Sequence, residues 1–440
     1  MLLVWVPAAQ AITPEIVELE KKPLPKFEEP AITSGELPNG LRYYFLEDHE
    51  IPLVQLGVIT KVGSIYEPSD KTGLATLAGM TMRTGGTKNQ TPEELDIILE
   101  DLAAKISTSI DREMGNASLK VVAKDFNQAL PIFFDILFKP SFDENRLQLG
   151  KLRIIEALRR EDDYPEQIAS REFKQLVYGK TNPWARQPTP ESVQTITQAD
   201  VQKFHADYFR PGNMIVYAAG DFNQQKLLAT IKKLTTDLAN DPVNFPSVPN
   251  VELKFSKQTK QIKRKLTQAY IETGHLGIKR DNPDKYALNI MNIILGGAPF
   301  KSRLMADIRV KRGMAYSIFS DFNASTDYGL FSVEVDTKAK NTQLVLALIQ
   351  KHLETMAKGE DITTEEIDFA KRMVLNQLIF SFDNSYKIVL HQARYHFYGY
   401  PENYWHIYRQ ETEKVTLEDV KRAAGKYLHP QGLSTVIVGP

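Results

Sequence analysis

Apolar positions along the chain change period several times. Residues 54–62 (VQLGVITKV) are β-rich, and residues 117–122 are strand-like as well. Between them, 92–106 places Leu95, Ile98, Leu99 and Leu102 at helical spacing. Residues 214–219 and 434–438 form β-runs that each end in a glycine, Gly220 and Gly439. Strands and helices mix without strict βαβ alternation. That order predicts an α+β fold of two tandem units, each a mostly antiparallel sheet packed with helices. Residues 12–31 repeat Glu, Lys and Pro and read as an extended leader arm. At 237–250 Pro and Asn cluster and apolar periodicity lapses, which predicts a linker.

Self-similarity supports that division. Thr197, Asp200, Val201, Tyr208, Pro211 and Gly220 recur as Thr416, Asp419, Val420, Tyr427, Pro430 and Gly439, a constant offset of 219 residues. Lys151, Leu158, Asp163, Ile168, Tyr178 and Gly179 recur as Lys371, Leu378, Asp383, Ile388, Tyr398 and Gly399, at an offset of 220. A period this long means two similar domains rather than a solenoid. The predicted domains are 32–236 and 251–440, flanking the linker.

Composition narrows the chemistry. Lys and Arg total 54 against 55 Asp and Glu in 440 residues, so net charge draws the chain toward neither nucleic acid nor anionic membrane. The basic run at 256–265 lacks interleaved aromatics and reads as a solvated edge. Glu161, Asp162 and Asp163 read as a solvated helix end. There is no cysteine, so disulfides, thiolate nucleophiles and Cys-based zinc sites are excluded. No segment after the first residues approaches the roughly 20 apolar residues of a membrane span. Residues 1–11 (MLLVWVPAAQA) resemble the end of a secretory signal peptide without its basic start, which suggests a periplasmic or otherwise exported protein; a frayed apolar terminus is the alternative.

Four segments carry a family resemblance. LPNGLRYYF at 37–45 and VGSIYEPSDKTGLA at 62–75, with ILGGAPFKSRL at 294–304 and RVKRGMAY at 309–316, resemble the pitrilysin/insulinase zinc metallopeptidases, including the mitochondrial processing peptidase. The resemblance spans 32–440 and implies the same two-domain duplication. Such enzymes carry H-x-x-E-H on a helix directly after Gly-Leu-Ala, two imidazoles on one face to bind zinc and a Glu to act as base. Here that register holds Thr76, Gly79 and Met80. A hydroxyl, a hydrogen and a thioether provide neither a hydrolytic zinc site nor a base. The histidines do not replace them: no two of the eight lie three or four apart. Glu156 stands near the position of the family's further zinc ligand. The chain is therefore expected to hold no cofactor, with zinc in a partner subunit.

Arg309 and Tyr316 match the family's second-domain pair, which the resemblance implies acts as an oxyanion and substrate-carbonyl clamp. Residues 299–311 read as a helix, Gly313 as its left-handed cap, and 314–320 as the strand that follows. Val310 stands where many relatives carry Glu. The resemblance also implies that an edge strand at 105–109, including Ile106, Ser107 and Thr108, pairs with peptide backbone. The leading expectation is a non-catalytic subunit, inactive alone, supplying Arg309 and Tyr316 in trans to a homologous H-x-x-E-H partner for peptide hydrolysis. The rival is a non-enzymatic peptide-binding or scaffold subunit of the same fold. A self-sufficient peptidase with an unforeseen metal site is a third reading.

Overall fold

A computed structural model describes residues 30–440; the signal-like residues 1–11 and nearly all of the leader arm lie outside the described part. The first half contributes strands β1 (Thr33–Glu36), β2 (Arg42–Glu47), β3 (Leu53–Lys61), β4 (Lys105–Ile110), β5 (Met114–Val122) and β6 (Met214–Gly220). Its helices are α1 (Leu74–Thr84), α2 (Pro92–Asp101), α3 (Phe126–Phe138), α4 (Glu144–Glu161), α5 (Pro165–Tyr178), α6 (Pro190–Thr195), α7 (Gln198–Tyr208) and α8 (Gln224–Thr235). The second half has β7 (Gln258–Lys263), β8 (Gln268–Leu276), β9 (Ile278–Lys279), β10 (Ala315–Phe322), β11 (Ala324–Ser325), β12 (Leu330–Lys338) and β13 (Ser434–Gly439). Its α-helices are α9 (Lys285–Asn292), α10 (Thr342–Ala357), α11 (Thr364–Phe380), α12 (Ser385–Phe397), α13 (Tyr404–Lys414) and α14 (Leu417–Tyr427).

The strands form a six-stranded sheet ordered β1-β2-β6-β3-β5-β4, a five-stranded sheet ordered β10-β12-β8-β13-β7 and a short parallel pair of β9 and β11. Within the two large sheets most neighbours are antiparallel; β2/β6 and β7/β13 are parallel. The α+β expectation holds, and the internal repeat is physical. In α7, Thr197 and Asp200 form a reciprocal capping box, and Thr416 and Asp419 form the same box in α14. The basic run becomes β7, an edge strand with most of its side chains in solvent. Arg171 pairs with Glu161 and Asp162, so that acidic cluster is a helix end, not a metal site.

The two halves exchange a helix. α5 of the first half lies on the second sheet, where Ile168, Ala169 and Phe173 pack with Val436 and Val438 of β13. Its repeat counterpart α12 lies on the first sheet against β2, β3 and β6. There the Tyr386 ring meets Tyr217 at 5.6 Å, and Gly57 leaves the space that the Tyr217 ring fills. Each sheet thus has its own helices on one face and a borrowed helix on the other. Ile168 faces the opposite half's strands, and its repeat counterpart Ile388 is buried as well.

Two predicted helices are shorter than their patterns. The helix at 92–106 stops at Asp101, because Ala103 turns left-handed (φ 46°) and Ile106 passes into β4. The helix at 299–311 starts after a turn in which Phe300 has φ 61°, and its body at Met305–Lys311 is π-helical. Gly313 is left-handed (φ 62°), as expected.

Helix α1 crosses β4 in close contact. A Cβ at Gly79 would lie 2.4 Å from the backbone N of Ile110, and the Thr108 hydroxyl donates to the Gly79 carbonyl at 2.6 Å. Only glycine permits that approach.

Two stability outcomes follow from this packing. Phe173 is fully buried, so Phe173→Ala should lower stability by about 3–5 kcal/mol in urea unfolding; a change under about 1 kcal/mol would mean α5 does not hold the halves together. Gly79→Ala should cost about 1–3 kcal/mol by displacing β4, whereas Thr76→Ala, on the exposed side of the same helix, should stay within about 0.5 kcal/mol.

Candidate functional site

The helix that would carry a metal is intact as a helix. Its first turn is anchored by Glu67, whose carboxylate accepts hydrogen bonds from the backbone N–H groups of Gly73 and Ala75 at 3.2 and 3.0 Å. Burial pushes the Glu67 carboxyl up to about 7, although those N–H groups and the Arg186 guanidinium favour its charged form. Arg186 also donates to the carbonyls of Ser64 and Glu67. This anchor was not singled out from sequence. Nothing in periodicity distinguishes a Glu in a loop that folds back onto the helix start from one in solvent.

The donor set on that helix does not fit zinc. Thr76 is exposed, Met80 packs against the first-half core, and the place of a base at Gly79 is occupied by the backbone of β4. A Glu side chain could enter there only by moving the strand. Glu156 is exposed on α4 and pairs with Arg159 at 2.6 Å. Among the described residues no group of three or more His, Asp and Glu is arranged to hold a metal. His205 and His275 are buried and serve the core. Burial pushes both down to about 4, so they stay neutral, bonded to the carbonyls of Leu137 and Leu276.

Arg309 and Tyr316 lie on either side of the turn that leads into β10, the edge strand of the second sheet. Arg309 lies in the π-helical turn, a geometry often found at functional sites. Its guanidinium carbon is 5.5 Å from the Phe300 ring centroid, and Nη1 lies 3.7 Å from the Met305 sulfur. No carboxylate pairs with it among the described residues. The chain then folds back onto β10: the N–H of Gly313 donates to the Arg309 carbonyl at 3.1 Å, and that of Met314 to the Ile308 carbonyl at 2.9 Å. The turn is fastened by Asp307, which accepts from Arg312 at 2.9 Å and meets His352 at 3.1 Å. Burial opposes ionisation of Asp307, but these two partners outweigh it and hold the carboxyl below its usual range.

Tyr316 is the extra residue of a β-bulge. Ala315 pairs with Thr337 and Ser317 with Asp336, leaving Tyr316 between them without a partner on β12. A bulge re-aims the side chain it carries. Tyr316 is 48% exposed, and Phe319 on the same outer strand is 43% exposed. Val310 points out as well, 63% exposed, so no ion pair forms at that position.

Strand β4 is the edge of the first sheet, as the sequence suggested. Its side chains are already engaged. Ile106 packs on the core, Ser107 meets Ser118 at 2.8 Å, and Thr108 reaches Gly79. Any peptide pairing here would therefore use backbone groups. Two readings that were separate in sequence, the lost base and the edge strand, are one contact in space.

Known proteins are similar to this chain in sequence and in fold. Residues 44–183 match the insulinase (peptidase family M16) domain, and residues 195–374 match the peptidase M16 inactive domain. A Bacillus subtilis protein called uncharacterized zinc protease YmxG is 24% identical over 79% of this chain and 83% of its own length. A Helicobacter pylori protein called non-peptidase homolog YmxG is 26% identical over 85% of this chain and 86% of its own. A solved Pseudomonas fluorescens structure, described as a peptidase M16 inactive domain, is 26% identical. It superposes with a TM-score of 0.83 over 93% of this chain and 98% of that one. Both halves match one family, and the helix register of its metal ligands is empty: the chain belongs to the insulinase-type peptidase family M16, as a member lacking the H-x-x-E-H residues.

Proposed function

We propose that this chain is the zinc-free subunit of a two-chain metallopeptidase, lending Arg309 and Tyr316 to a peptide held against a homologous partner that keeps H-x-x-E-H. One observation carries the reading: a phenol raised on a bulge of an edge strand, and in the turn before it an arginine with no carboxylate partner among the described residues, survive in a chain whose metal helix has been refilled. In this role the guanidinium and the phenol O–H donate hydrogen bonds to substrate carbonyl oxygens. The phenol faces the oxygen that gains negative charge as the carbonyl becomes tetrahedral, where a preplaced donor counts most. Arginine suits the task because its planar fork keeps its charge at any working pH. Zinc, in the partner, would supply the activated water. As the last strand of its sheet, β10 has an outer edge that would meet the other chain.

A second reading is supported by the name of the Helicobacter pylori relative, a non-peptidase homolog. Under it the same open edges hold peptides or an assembly without any cleavage, and neither Arg309 nor Tyr316 matters to the function. In either case we place the protein in the periplasm or another exported compartment, on the signal-like residues 1–11; sequencing the N-terminus of the mature protein tests that placement.

Co-expression with a homologous H-x-x-E-H chain from the same genome separates the two readings. The purified pair should hydrolyse peptides, and each chain alone should not. Tyr316→Phe should lower kcat by about 10²-fold with little change in KM, as expected for loss of one oxyanion donor. A pair that cleaves equally well with Tyr316→Phe and Arg309→Ala would leave the scaffold reading standing.

A further inference from the structure

Between the halves lies a cavity of about 500 Å³. Its aromatic wall is Tyr66, Phe397, Tyr398 and Tyr400. Three of these come from the end of α12 and the residues just after it, where Gly399 turns left-handed (φ 73°) between Tyr398 and Tyr400. Facing them are Lys61, Arg280 and Lys285, with the carboxylates of Glu113 and Asp281.

Arg280 is held in an unusual state. Its guanidinium carbon lies 3.7 Å from the centroid of the Tyr398 ring. The Nε atom is buried and has no hydrogen-bond partner. None of the ion pairs among the described residues engages Arg280. A buried donor on a charged group is costly to leave unpaired, so this guanidinium keeps capacity for an acceptor. Lys285 stands beside it, its ammonium 3.3 Å from the Arg280 carbonyl and 4.6 Å from the Tyr400 ring centroid. Lys61 lies over Phe245 at 4.8 Å. Neither Glu113 nor Asp281 forms an ion pair with these three cations, and Asp281 is exposed.

The repeat shows that this is not a packing accident common to both halves. Tyr178, the counterpart of Tyr398, spends its hydroxyl on the Tyr328 carbonyl at 2.7 Å and stacks on Trp184 rather than on an arginine. In the second copy it is a guanidinium that lies over the ring.

We infer that this cavity binds a carboxylate attached to an apolar or aromatic group, namely the free C-terminal residue of a peptide. The planar guanidinium fork fits a carboxylate through two parallel N–H bonds. Three cations against two carboxylates suit a monoanion better than a dianion, and the tyrosine and phenylalanine rings suit an apolar side chain beside it. The ligand class rests on the peptide-handling reading above. The binding itself does not depend on Arg309, Tyr316 or a partner.

Isothermal titration calorimetry on the full lone chain tests it with three probes: N-acetyl-phenylalanine, its uncharged amide, and inorganic phosphate. The acid should bind saturably, and the amide at least about tenfold more weakly, as for loss of a charge-assisted pair. Arg280→Gln should weaken the acid by at least about tenfold and leave the amide unchanged, with the melting temperature reporting that the variant is folded. Lys285→Met, which leaves the Arg280–Tyr398 stack in place, should weaken the acid severalfold. The inference fails if the amide binds as tightly as the acid, if the acid shows no heat up to about 10 mM, or if neither substitution alters acid binding. Phosphate binding more tightly than the acid would also overturn the assignment. Lost binding with intact partner-dependent cleavage would remove this cavity alone and leave the proposed function untouched.

Discussion

The exchange of α5 and α12 is the constraint on which the remaining architecture depends. Each sheet is covered on both faces, and the helices of its own half cover one of them. The other is closed by a helix from the opposite half, with Ile168 and Phe173 on one side and the Tyr386–Tyr217 contact on the other. Burial of apolar area is what drives this, and it ties the halves as firmly as if they shared one core. Residues 32–440 accordingly form a single compact unit despite the duplicated sequence. The Pro- and Asn-rich stretch after α8 joins two repeats that cannot separate without uncovering both sheets.

That rigidity gives the site its character. Arg309 and Tyr316 are set by a turn fastened through Asp307 and by a bulge in β10, not by a mobile loop. Preplaced donors need no reorganisation when charge develops on a substrate oxygen, which is the condition under which they matter most. On the opposite edge, the same economy of space has closed the metal position. With Gly79 pressed against β4, the helix has exchanged a reactive side chain for backbone contact, and the Thr108 hydroxyl seals the junction. Replacing residues on α1 alone would not recreate a metal site, because the strand occupies the volume.

The cavity at Arg280 depends on the exchange as well. Phe397, Tyr398 and Tyr400 belong to the end of the borrowed helix, while Lys61 and Tyr66 belong to the half that receives it. The two repeat tyrosines differ in their surroundings: Tyr178 meets the Tyr328 carbonyl and Trp184, whereas Tyr398 carries the Arg280 guanidinium.

Sequence alone determined what is local or compositional. The strand and helix periods, the repeated Thr–Asp caps, the missing zinc ligands and the surviving Arg309 and Tyr316 are all properties of residue identity and spacing. Left-handed Ala103 and Phe300 escaped it, since nothing in the apolar pattern marks where a helix is interrupted. Tertiary structure alone decided the rest. Periodicity tells which face of α5 is buried but not which sheet covers it. An absent glutamate at Gly79 tells nothing of the strand lying there, and the bulge under Tyr316 and the stack of Arg280 on Tyr398 join residues distant in sequence. Those contacts arise when burial selects partners across the whole chain, a choice that no single stretch of sequence contains.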